Sequence, residues 1–141
     1  MTIPAPVAAW HRIAAAPDPA DPATAAELDV LLADLLADDV VFRSPAVHAP
    51  QEGRAITTAY LRAAMVVLGP TLRYLDEWHA EGPDGGSAVL EFACEVGGRE
   101  VHGIDQLRWG ADGRLTSFTV MVRPLRALEA VIAGMAAELG A

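Results

Sequence analysis

The sequence predicts an α+β domain in which helices pack on one face of a bent, mainly antiparallel sheet. Three observations carry that prediction. In the first half of the 141-residue chain apolar residues recur at helical spacing. From residue 71 the spacing switches to two. The alternating segments are joined by short glycine-rich connections, which tie antiparallel neighbours.

Each element follows in order. Val7 to Ala16, bounded by Pro4-Ala5-Pro6 and by Pro17 to Pro22, is long enough for a short helix. It carries Trp10 and Ile13, which would be exposed unless the helix docks. The stretch 1–22 is thus a proline-rich arm with one helix. Thr24 and Glu27 have capping-box spacing. Leu28, Leu31, Leu32, Leu35 and Leu36 then form an apolar stripe of a second helix, ended by Asp38-Asp39. Val40-Val41-Phe42 reads as a short strand stopped at Ser44-Pro45. Arg54 to Leu68 reads as a third helix with Ile56, Tyr60, Ala64 and Val67 on one face and Gly69-Pro70 as its stop. Four strands are predicted at 72–80, 88–96, 101–109 and 115–123. Gly82 to Gly86, Gly97-Gly98 and Ala111-Asp112-Gly113 supply the turns. A final helix begins after Pro124, with Leu125, Leu128, Ile132, Met135 and Leu139 as its seam. One domain, 1–141, accommodates all of this.

Composition excludes several functions. The ten basic residues are all arginine, against 19 acidic ones, for a net charge of −9. Without lysine there is no Schiff base and no P-loop lysine. Nucleic acid and anionic membranes would repel such a chain. Cys94 is the only cysteine, so an intrachain disulfide is impossible. Met1-Thr2-Ile3-Pro4 does not open a signal peptide and no apolar run reaches membrane-spanning length, so a cytoplasmic location is expected. The four histidines, His11, His48, His79 and His102, have no metal-ligand spacing, and no dinucleotide or nucleophile-elbow motif occurs. Neither metal nor cofactor is expected.

Strand alternation locates the chemistry. In the second long strand Leu90, Phe92, Cys94 and Val96 share the apolar, inner face, and Cys94 reads there as an inert core thiol. In the third, Val101, Gly103, Leu107 and Trp109 share a parity, and so does Asp105. A carboxylate inside an apolar row must either pair or stay protonated. Asp105 is therefore either a neutral acid that donates to a ligand oxygen or a structural residue paired with Arg123 or with backbone N–H groups. Asp76 shares parity with Tyr74 and Trp78 and would be inward too, although a bulge would reverse it and leave Asp76 solvated. His79 and His102 fall on outward parities. His48, in the Pro45 to Pro50 loop, is either a surface residue or a base near neutral pH. Tyr60, Trp78, Phe92 and Phe118 are the candidate pocket walls.

These residues also carry a resemblance. Leu36-Ala37-Asp38-Asp39-Val40-Val41-Phe42-Arg43-Ser44-Pro45 resembles the opening strand of the nuclear transport factor 2-like superfamily. Gly103-Ile104-Asp105-Gln106-Leu107-Arg108-Trp109 with Asp112-Gly113-Arg114-Leu115 is similar to its later strands. Val122-Arg123-Pro124-Leu125 is similar to endings in its SnoaL-like branch. The resemblance runs from Val7 to Met135. It implies a cone: a strongly curved sheet wrapped around helices, with an apolar pocket at the open end. Among the superfamily's steroid Δ-isomerases, Asp105 matches the oxyanion-binding aspartate. Ser44 stands where their catalytic aspartate would be, His11 or Trp10 falls near their oxyanion tyrosine, and Tyr60 matches a supporting tyrosine.

Two functions are expected to compete. One is a cofactor-independent isomerase, cyclase or hydratase acting on a small oxygenated apolar molecule, with Asp105 and His48 as acid and base. The other is a non-catalytic ligand-binding or assembly module. Both predict a homodimer formed through the outer face of the sheet.

Overall fold

Prolines and an aspartate set the two N-terminal helices of the computed structural model, which describes residues 2–140. Helix α1 (Ala5–Ala14) has Pro6 in its first turn, where the missing N–H costs nothing. Helix α2 (Pro22–Leu35) is capped by Asp21, whose carboxylate accepts from the Thr24 backbone N–H at 3.1 Å and from the Thr24 hydroxyl at 3.2 Å. The cap is therefore Asp21, not the expected Thr24. The helix also ends earlier than Asp38, because Leu36 already belongs to strand β1 (Leu36–Arg43), where Leu36, Val40 and Phe42 are buried.

β1 pairs antiparallel with the short β2 (Gln51–Glu52) on one side. Helix α3 (Arg54–Leu68) follows and ends in a 3₁₀ turn at Gly69–Thr71. Its buried face is Thr57, Leu61 and Met65, while Ile56 of the expected face is exposed. Four long strands come next: β3 (Arg73–Gly82), β4 (Gly85–Val96), β5 (Arg99–Gly110) and β6 (Leu115–Arg123). Gly97 and Gly98, at φ of 57° and 76°, form the two-residue turn between β4 and β5, a conformation that side chains with a Cβ resist. Helix α4 (Leu125–Leu139) closes the chain.

The sheet is six-stranded, in the order β2-β1-β6-β5-β4-β3. All pairings are antiparallel except β1 with β6. The result is the α+β curved sheet with N-terminal helices and a C-terminal helix. One end of its inner face, at Leu90, Leu107 and Trp109, is covered by α1 and α2 through Trp10, Ile13, Leu28 and Leu32. The other end, at Phe92, Cys94 and Val101, is covered by α4 through Ala127 and Val131. Tyr74 and Val120 pack against both clusters. Between the two clusters the inner face stays open, and Asp105 lies there. No helix of the described residues is long and apolar enough to cross a membrane.

Candidate active site

The open stretch is a cavity of about 220 Å³. Its floor is Trp10, Tyr74, Phe92, Asp105 and Phe118, and its sides are Phe42 of β1 and Tyr60, Leu61 and Met65 of α3. Ser44 to Val47 and the Ile132, Met135 and Leu139 face of α4 line it as well. Of the seam predicted for α4, Ile132, Met135 and Leu139 line the cavity, whereas Leu125 is exposed, Leu128 is not in the lining, and the helix's buried residues are Ala127 and Val131.

Gly103 helps shape the floor. A Cβ there would stand 2.5 Å from the Met121 carbonyl oxygen and 2.6 Å from the Phe92 ring. Only a bare α-carbon lets the Phe92 ring lie across β5, and on the β3 side the same ring meets Tyr74 edge-on at 6.3 Å between centroids.

Asp105 is only 6% exposed and is the one charged residue among the cavity-lining residues. Arg123 does not reach it. That guanidinium lies 3.3 Å from His102 Nδ1, and His102 bonds Glu91 at 2.6 Å. Instead the Tyr74 hydroxyl donates to Asp105 Oδ2 at 2.6 Å, and the Trp10 indole N–H donates to the Tyr74 oxygen at 2.8 Å. Burial raises the Asp105 carboxyl to about 7, against the opposing hydrogen bonds of Tyr74 and Trp10. Burial, then the Asp105 charge, pushes Tyr74 well above its ordinary value, so Tyr74 remains a donor. Burial also pushes the Cys94 thiol to about 11, which keeps it inert.

A bulge in β3 decides which other residues share this floor. Tyr74 pairs with Phe92, but Asp76 pairs with the next residue along β4, Glu91, so Leu75 is extra. Beyond it every parity is reversed. Asp76 and Trp78 face outward, and Trp78 is 56% exposed, so the candidate wall residue Trp78 lies outside the cavity. Glu77 and His79 turn inward. The Glu77 carboxylate binds His79 and, at 2.7 Å, His11 of α1. Burial opposes that charge, but the His11 and His79 hydrogen bonds outweigh it and lower the Glu77 carboxyl. His79 is therefore not the surface residue expected from alternation alone.

The structure places Tyr60, Phe92 and Phe118 on the cavity lining with Asp105. His48 is exposed and not part of that lining, because its loop presents only Ser44 to Val47 before turning to β2. Sequence reasoning did not foresee Trp10 and Tyr74 as the hydrogen-bond partners of Asp105. The signal for Tyr74 was its inward parity on β3; for Trp10 it was the need to bury an indole on a docked helix. Among the described residues no group of three His, Cys, Asp or Glu is arranged to hold a metal ion.

Comparison with solved structures extends this geometry. A steroid delta-isomerase from Pseudomonas aeruginosa is 34% identical, with a TM-score of 0.80 over 96% of this chain and 90% of that one. An uncharacterized bacterial protein with a cystatin-like fold from Silicibacter pomeroyi is 26% identical, with a TM-score of 0.77 over 96% and 85%. A hypothetical protein with a ketosteroid isomerase-like fold from Catenulispora acidiphila, solved with trimethylamine, is 17% identical. Its TM-score is 0.60 over 90% of this chain and 91% of that one, a likeness of fold alone. No protein-family model matches the chain, and no curated protein matches its sequence. With the steroid delta-isomerase relative 34% identical over nearly the whole of both chains, and with the curved sheet and floor aspartate in place, the chain belongs to the nuclear transport factor 2-like superfamily.

Proposed function

We propose that the cavity binds a small, mostly apolar oxygenated molecule and that Asp105 promotes acid-assisted chemistry on its oxygen: isomerisation, cyclisation or hydration. The observation that carries this reading is a single buried carboxyl, poised at about 7, at the floor of an otherwise apolar cavity. An acid with that pKa is neutral about half the time at neutral pH, so it can donate to a developing oxyanion and take the proton back. Such a donor is worth roughly 3–4 kcal/mol of barrier in comparable sites. The named steroid delta-isomerase relative makes a cyclic ketone or enone the natural first class to try. A cavity of ~150 Å³ holds one benzene ring, so one or two rings fit the enclosed part here and a larger skeleton would extend through the mouth. His48, outside the lining, is limited in this reading to exchanging protons with water at the mouth. The reaction needs no cofactor, and the chain works as one domain in the cytoplasm.

One observation favours the second reading, a non-catalytic binding module. Ser44 stands at the cavity mouth where the isomerases carry a base, and no other lining residue replaces it. In both readings the outer sheet face pairs two subunits, and the exposed Trp78 of β3 and Met121 of β6 lie on that face.

The discriminating experiment incubates the protein with 1-tetralone in D₂O and with indene oxide in water, and follows α-deuteration and diol formation by NMR. Acceleration of either reaction, lost in Asp105→Asn while binding persists, supports the enzyme. Binding of both compounds with neither reaction accelerated selects the binding module.

A further inference from the structure

Trp10 makes two kinds of contact, and packing explains only one. Its ring meets Phe118 edge-on at 4.8 Å between centroids. Its N–H donates to Tyr74, whose hydroxyl donates to Oδ2 of Asp105. An indole nitrogen can only donate. It therefore occupies a lone pair of the Tyr74 oxygen, the Tyr74 proton goes to Asp105, and Oδ2 must accept. A carboxylic acid whose Oδ2 accepts carries its own proton on Oδ1. Asp105 lines the cavity, so Oδ1 is the oxygen left for a ligand.

We propose that Trp10 is a positioning residue: acting through Tyr74, it fixes Oδ2 of Asp105 as an acceptor, so that the neutral acid presents its proton from Oδ1 to a single oxygen of the ligand. This rests on the reading of Asp105 as the donor to that oxygen. It also narrows the substrate class. Because the Tyr74 proton is committed, the floor offers one donor, which suits a molecule with one acceptor oxygen at its buried end. A carboxylate or diol would leave a second oxygen unpaired among aromatic walls, a costly arrangement.

The surroundings keep this chain of donors in place. His11, the neighbour of Trp10 on α1, binds Glu77 of β3, which also holds His79, and its ring meets Tyr74 edge-on at 5.0 Å. The titratable groups near Asp105 are thus Tyr74 and the His11–Glu77–His79 cluster on α1 and β3, and Cys94 on β4. Helix α3 presents Tyr60 and apolar residues to the cavity, and α4 only apolar ones.

The test compares wild type with Trp10→Phe and Tyr74→Phe. The Asp105 carboxyl is titrated by ¹³C NMR, and 1-tetralone affinity is measured by calorimetry across pH, with tetralin as the oxygen-free control. In wild type the tetralone Kd is flat below the Asp105 midpoint and rises about tenfold per pH unit above it, while tetralin is flat throughout. Removing a hydrogen bond to an ionised acceptor raises its pKa, so Tyr74→Phe moves both midpoints upward by about one to two pH units. Trp10→Phe moves them in the same direction by a smaller amount. A packing role alone would leave the midpoint unchanged in Trp10→Phe, and that result overturns the positioning role. If Trp10→Phe fails to fold, the Trp10 indole resonance decides in its place: it shifts upfield in Tyr74→Phe if the bond exists and stays put if it does not. A midpoint that moves as expected beside tetralone binding that ignores pH leaves the relay standing and removes Asp105 as the ligand's donor.

Discussion

The Tyr74 hydroxyl reaches over β4 to donate to Oδ2 of Asp105 at 2.6 Å, joining β3 to β5 across the cavity floor. That bond stabilises the ionised form of a carboxyl whose burial favours the neutral one, and burial is the larger effect. Because the folded carboxyl titrates at about 7 instead of its ordinary 3.8, the native state holds a proton that the unfolded chain has already released. Stability from this group is greatest below pH 3.8, falls as pH rises through the window up to about 7, and is level above it. At 1.36 kcal/mol per unit the difference is roughly 4 kcal/mol at most. Asp105→Asn removes the titration, so urea melts are expected to show the variant gaining on wild type between pH 5 and pH 8. Parallel curves would contradict the raised carboxyl.

Glu77 has the opposite sign. Its carboxyl lies below the ordinary 4.5, so its contribution is present above that value and lost as pH falls through the folded value. The two histidine contacts are partly exposed, so Glu77→Gln is expected to cost about 1–2 kcal/mol at pH 7. The gap should narrow as pH falls below the ordinary 4.5, and thermal melts at pH 7 and across that acidic range measure it.

Gly103→Ala would drive a methyl group into the Met121 carbonyl and the Phe92 ring. Overpacking of this kind costs about 1–3 kcal/mol, and displacing Phe92 should also weaken tetralone binding. Urea melts and calorimetry read the two effects separately.

Ser44→Asp places a carboxylate at the cavity mouth, where the isomerase resemblance calls for a base. General-base catalysis supplies about 10²–10⁴-fold. The variant should convert 3-cyclohexenone to 2-cyclohexenone at least ~10²-fold faster than wild type by ultraviolet absorbance. An unchanged rate would mean that the cavity does not hold the ketone against Asp105.

Trp78→Ala tests the proposed dimer. An exposed side chain on a monomer changes stability by only about 0.5 kcal/mol, but an aromatic anchor buried in an interface commonly costs about 2 kcal/mol or more. Sedimentation should show a dimer for wild type and a dissociation constant raised at least ~30-fold in the variant. A monomeric wild type would remove the dimer.

The sequence by itself determined the order and type of nearly every element, because helical spacing, period-two alternation and the proline and glycine stops are local properties. It also determined that Asp105 stands in an apolar row, since β5 runs without a bulge from Val101 to Arg108 and parity is reliable there. Tertiary structure decided the rest. One extra residue at Leu75 reverses β3, turning Trp78 out and turning Glu77 and His79 in, where Glu77 binds both His79 and His11, and a bulge leaves little mark in the alternation of a strand that mixes Leu75, Asp76, Glu77 and Trp78. The parallel pairing of β1 with β6, and the burial of Leu36 that lengthens β1 at the expense of α2, depend on partners distant in sequence. So does the partner of Asp105. Local pattern said that a buried carboxyl needs one; only the docking of α1 on β3 chose Tyr74, held by Trp10, over Arg123.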